Sequence, residues 1–167
     1  MASYNEIILH KHLFLPSGAY NAYMKAKFTK TSRCCIARLD KGERLLDSIL
    51  ALSKLHKIKS GIVEVIGALR PAEIMYYEID KKAYKSILID EPVELIMATG
   101  SIALLGSDPV VHLHITIGRH DGTTLGGHCG PASTISITGE VFIIEIVDPV
   151  YRVRNEDFKL NFLDLER

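Results

Sequence analysis

The chain has 167 residues, 47% of them hydrophobic, and 20 Lys and Arg balance 20 Asp and Glu. Neutrality gives no support to strong nonspecific nucleic-acid binding, and no apolar run approaches the roughly 20 residues of a membrane helix. The length predicts one domain with a real core, and a mean hydropathy of +0.14 predicts apolar surface to spare for a buried sheet or a subunit interface.

Residues 1–32 read as an N-terminal extension and residues 33–167 as the domain. Up to Arg33, Lys11, Lys25, Lys27, Lys30 and Arg33 stand against Glu6 alone, a net of +4 that leaves −4 on the rest of the neutral chain. One reading is a basic arm for an acidic partner. The preferred one is an accessory segment that packs Ile7, Ile8, Leu13, Phe14 and Leu15 on the body and solvates its lysines. Glu6 and His10 interrupt any signal-like apolar stretch, so a cytoplasmic location is expected. Cys34, Cys35 and Cys129 do not form a disulfide framework, and the adjacent pair is expected to serve as small core residues.

Arg33 to Leu39 reads as a strand. Asp40, followed three residues later by Glu43, resembles a capping box, which predicts a helix running to about His56 with Leu45, Leu46, Ile49 and Leu52 on its apolar stripe. Lys54, His56, Lys57 and Lys59 crowd the end of that helix; one reading is a phosphate-contacting patch, and the preferred one is cations that complement the helix dipole. From Gly61 the period becomes strand-like. The runs GIVEVIGAL, AEIMYYEI, YKSILI and VELIMATGSIALLG are rich in β-branched residues and broken by Gly, Pro and charged turns. One helix followed by consecutive strands predicts an α+β fold with a largely antiparallel sheet. Ser133 to Val147 supplies another long strand with Gly139 as a bulge candidate. The tail is expected to be extended, then weakly helical.

The densest chemistry lies between Val110 and Gly130. Val110 to Ile117 reads as a strand that places His112 and His114 on one face. Asp121-Gly122 is a hairpin signal. If the chain folds back about Asp121, His114 and His128 are each seven residues from the fold point and lie opposite one another. Three imidazoles then converge, and Gly126 and Gly127 leave room for close approach or a bulge. A slip of one residue would send His128 to the other face. Three neutral imidazoles suit zinc or another divalent transition metal. His120 belongs to the loop and is expected to be solvated, and Cys129 faces away from His128. A cupin would place a glutamate three or four residues after the HxH, where this chain has Ile117 and Gly118.

In order, RLDKGERLLDSI, GIVEVIGALRPAEIMYY, EPVELIMATGSIALLG, HLHITIGRHDGTTLGGH and ITGEVFIIEI resemble the plants and prokaryotes conserved (PPC) domain. The resemblance spans roughly residues 33–147. It implies an α+β fold, a largely antiparallel sheet with flanking helices, and a homotrimer. It also implies a metal site at the HxH and GGH histidines, here His112, His114 and His128. In plants the domain follows AT-hook motifs, and DNA binding is attached to the family by that association. This chain has no Arg-Gly-Arg-Pro hook, and it carries the histidines that plant members generally lack.

The first functional expectation is therefore a zinc-binding PPC protein with a DNA-associated regulatory role. A small zinc-dependent hydrolase or lyase is the second, with Glu94, Asp108, Asp121, Glu140 and Glu145 as unplaced candidates for a general base. The third is a ligand-sensing or purely structural trimer. Nothing in the residues names a small-molecule ligand.

Overall fold

The computed structural model describes residues 25–167, so the apolar run from Ile7 to Leu15 lies outside the described residues. Ten strands and one helix follow in chain order. They are β1 (Thr31–Asp40), α1 (Leu45–Leu55), β2 (Gly61–Leu69), β3 (Ala72–Glu78), β4 (Ala83–Ile89) and β5 (Val93–Leu105). The chain continues through β6 (Asp108–Gly118), β7 (Thr124–Cys129), β8 (Ile135–Ile146), β9 (Tyr151–Asn155) and β10 (Leu160–Asp164). Strands run in the order β1-β8-β2-β5-β6-β7-β3-β4 and pair antiparallel throughout. β9 joins β5 in parallel at its far end, where Leu104 and Leu105 face Tyr151 and Arg152, and β10 pairs with β9.

The expected mainly antiparallel sheet is present, but the described residues hold one helix rather than several flanking ones. That helix is 11 residues long, and no described helix is long and apolar enough to cross a membrane. Alternation along the strands separates two faces of the sheet. Val63 and Val65 of β2, Ala98 and Ile102 of β5, and Leu113, Ile115 and Ile117 of β6 are all buried. Leu45 and Ile49 of α1 pack against this inner face within one continuous core. The opposite face, where β1, β8 and β2 lie, exposes Ile36, Ile62, Ile66 and Ile144.

Several local expectations are corrected. Glu43 does reach back to the Asp40 amide at 2.6 Å, but Asp40 is the last residue of β1 and the helix begins at Leu45. The pair closes a turn, and Arg44 is the N-cap without a side-chain cap. The anticipated irregularity at Gly139 falls on its cross-strand partner, since register slips on both sides of Gly67. Cys35 packs against the core, but Cys34 is exposed, because adjacent strand residues point to opposite faces. The tail does not turn helical. It forms the β9–β10 hairpin, whose edge hydrogen bonds to β5 outweigh any weak helical preference.

Candidate metal centre

β6 is held in register by its buried side. Leu113, Ile115 and Ile117 are at most 2% exposed, so a slip of one residue would drive them into solvent. That constraint turns His112, His114 and Thr116 to the outer face. The turn is closed by Asp121, whose carboxylate accepts from the Thr123 amide at 2.9 Å and hydroxyl at 2.6 Å. Arg119, at the start of the same turn, pairs with Glu91, and His120 is exposed.

β7 returns in unbroken register from Gly118 opposite Thr124 to His114 opposite His128. No bulge is needed. A Cβ on Gly127 would lie 2.6 Å from Ile74 Cγ2 and 3.0 Å from the Met75 carbonyl, so this glycine lets β3 close on β7. Beyond His128 comes Met75 of β3, and Cys129, on the other face, is buried in the core.

The three imidazoles converge. Ring centroids are 5.1 Å apart for His112 and His114, 5.0 Å for His112 and His128, and 5.5 Å for His114 and His128. One nitrogen from each ring falls within 4.8 Å of the other two, a grouping that could hold a metal ion. Tyr84 of β4 stacks on His128 at 4.9 Å and 26°. Nδ1 of His128 is buried without a hydrogen-bond partner among the described residues. Burial pushes the His112 imidazolium down to about 4, helped by the Arg152 charge and its two histidine neighbours. Burial, His114 and Arg152 lower His128 in the same direction. Both rings are thus held neutral near pH 7, the form in which imidazole binds metal.

Sequence reasoning missed what lies above the rings. Arg152 of β9 donates from Nη2 to Ser101 Oγ at 3.0 Å and from Nη1 to the Asn161 carbonyl at 2.9 Å. The tip of the hairpin is tied to β3 by a hydrogen bond from the Tyr77 hydroxyl to the Phe158 carbonyl. Attached to β5 at one end and β3 at the other, the hairpin crosses over β6 and β7 and roofs a cleft floored by His112 and His128. The one available signal was the alternating YRVRN of the tail, which shows a strand but not where it docks.

Glu94, Asp108, Asp121, Glu140 and Glu145 do not line this cleft. Glu145 pairs with Arg33 at 2.7 Å, and Asp121 serves the turn. Glu64 shares a cross-strand row with His114 through Thr99. Two strand spacings, roughly 10 Å, separate them.

Fold and site together define a class: an open antiparallel sheet with one helix on its inner face and a three-histidine group on the other. The model of the Plants and Prokaryotes Conserved (PCC) domain matches residues 26–147, and the chain belongs to that family. The resemblance seen in the sequence therefore holds. The fold is similar to a metal-containing protein from Archaeoglobus fulgidus, with 29% identity, a TM-score of 0.76, and coverage of 83% of this chain and 98% of that one. It is equally similar to a plant- and prokaryote-conserved protein from Pyrococcus horikoshii, at 28% identity, TM-score 0.76, and 83% and 96% coverage. A candidate DNA-binding protein from Bacteroides thetaiotaomicron matches at 28% identity, TM-score 0.76, and 83% and 99% coverage. Among curated proteins, bifunctional protein GlmU from a Synechococcus strain is 28% identical over 130 residues, 77% of this chain. The chain spans only 19% of that relative's length.

Proposed function

We propose that this protein is a metal-binding member of the PCC family, with His112, His114 and His128 as the ligands and zinc as the metal. The observation that carries this is the convergence of three imidazoles from two adjacent strands within 4.8 Å. Zinc–nitrogen bonds of about 2.0–2.1 Å at tetrahedral angles put donors roughly 3.4 Å apart, a separation that small side-chain rotations reach. The orphaned Nδ1 of His128 and the lowered basicity of two rings favour the same reading, as does the metal-containing relative. A metal held by His112, His114 and His128 would supply Lewis acidity at the floor of the cleft. The test is metal analysis of untagged protein, with one equivalent per chain expected and metal-free protein after reconstitution overturning the assignment.

A homotrimer is part of the proposal. Ile36, at 72% exposure, and its apolar neighbours on the outer face form a patch that identical chains can bury with cyclic symmetry. Residues 1–24 are the other candidate cover, and truncating them separates the two. Residues 1–32 are proposed as an extension whose end joins the domain, since Thr31 pairs with Ile146 and the family match begins at residue 26. Three free thiols among the described residues fit a cytoplasmic location.

The DNA-associated role ranks below the metal. It draws on the Bacteroides relative, whereas several cations of the basic segment are already engaged. Lys25 pairs with Glu166 at 2.5 Å, Lys27 donates to the Arg167 carbonyl at 3.0 Å, and Arg33 pairs with Glu145. The hydrolase or lyase reading finds no carboxylate among the described residues of the cleft to serve as a base.

A further inference from the structure

The cleft above the histidines is a cavity of about 690 Å³, and among the described residues no Asp or Glu lines it. A cavity of that size suits a small organic molecule. Its roof brings Arg152 together with Arg154 and Lys159, while Tyr84 joins His112 and His128 beneath.

Arg152 is the unusual member. A guanidinium has five N–H donors, and here one goes to the Ser101 hydroxyl and one to the Asn161 carbonyl. Both acceptors are neutral. Nε–H is buried and meets no acceptor among the described residues. Burial is what bears on the charge of Arg152, with no carboxylate acting on it among the described residues. Withdrawing a cation from water without a counter-charge is unfavourable, and a planar fork with donors to spare matches a carboxylate or phosphate group. The two hydrogen bonds it does make hold that fork in one orientation.

We propose that Arg152 anchors a binding site for a small oxyanion-bearing molecule, a carboxylate or a phosphate ester, held between the β9–β10 hairpin and the three histidines. Residue 152 lies in the C-terminal hairpin, beyond the end of the family match at residue 147. It goes beyond the metal assignment, because the guanidinium captures an anion whether or not a metal sits below it. Arg154 and Lys159 add cationic potential at the cleft and favour dianions over monoanions.

The test is isothermal titration of the full chain with inorganic phosphate and, separately, with succinate, on metal-loaded and chelator-treated protein. At least one anion should bind in both states, and the tighter of the two identifies the oxyanion class. Arg152→Gln should weaken that binding by about tenfold or more, the effect of losing a charge-assisted hydrogen-bonded pair. Ser101→Ala keeps the guanidinium but frees one arm of its fork, and should weaken binding by about threefold, less than Arg152→Gln does. If Arg152→Gln does not fold, Arg152→Lys keeps the charge without the fork and should still weaken binding severalfold. The proposal is overturned if neither anion binds at about 10 mM, far above any useful affinity. It is also overturned if affinity survives both Arg152 variants, or if binding vanishes on chelation and ignores Arg152. Failure of the metal assignment would look different: metal-free protein that still binds the anion through Arg152.

Discussion

His114 and His128 stand directly opposite one another across the β6–β7 pair, their rings 5.5 Å apart and nearly perpendicular. His112 completes the group from two residues away on β6. If these rings ligate a metal, His114→Ala should remove most of it while leaving β content intact, because His114 is exposed and lies outside the core cluster. Elemental analysis beside far-ultraviolet circular dichroism checks both halves. Added zinc should raise the melting temperature of the parent, by about 2.7 kcal/mol of stabilisation at a hundred times Kd, and leave the variant unmoved.

Gly100 permits the close approach of β5 and β6 beside the site, since a Cβ there would come within 1.9 Å of the His112 carbonyl oxygen. Gly100→Ala must push β6 outward. We expect a loss of about 1–3 kcal/mol, typical of overpacking, together with lower metal content. Denaturant melts and metal analysis of the soluble fraction would show it, and parental values for both would contradict the register.

Between helix-facing and outward-facing residues, the sequence was legible wherever a buried periodicity constrained it. The alternation of Leu113, Ile115 and Ile117 settled the face of His112 and His114, and the count about Asp121 correctly paired His114 with His128. Asp40 and Glu43 misled because a capping-box spacing also closes a tight turn after a strand. Arg152 was illegible for another reason. Its meeting with Ser101 joins residues 51 positions apart through a short parallel contact, and neither residue advertises that contact locally.

The exposed isoleucines predict how assembly fails. Ile36→Glu combined with Ile62→Glu should turn a trimer into monomers, as buried charge at an apolar interface is unfavourable. Sedimentation at micromolar concentration reads the result. A parent that is already monomeric would refute the assembly, and a trimer surviving the double variant would move its interface elsewhere.

Binding to duplex DNA should be weak, and truncation of residues 1–30 should remove most of it. Raising salt from about 50 to 200 mM should abolish the remainder only if several phosphates are contacted. Tight binding that survives both changes would show that the sheet surface itself carries a DNA site, and would place the regulatory role ahead of the metal.

Thiol chemistry should separate the cysteines. Cys129 is fully buried and its thiol is pushed up to about 11 by desolvation, so thiolate is scarce at pH 8 and the reagent has no access. Cys34 is exposed. Titration with a disulfide reagent should label Cys34 in native protein and reach Cys129 only after unfolding. Rapid labelling of Cys129 in the folded state would contradict its burial in the core.

His112, His114 and His128 all belong to a single hairpin, whereas the neighbours β2 and β8 pair residues as far apart in sequence as Gly61 and Glu145. Closing a short loop sacrifices little chain entropy, and each doubling of its length adds only about 0.6 kcal/mol. Hairpins form in roughly 1–10 μs, well before distant strands meet. The ligands can therefore assemble before the sheet does. A metal ion present during folding would act on the β6–β7 hairpin as a template, selecting the register that the later strands must join. Refolding with zinc should then be faster than refolding followed by zinc, with the unfolding rate setting how long the ion is retained.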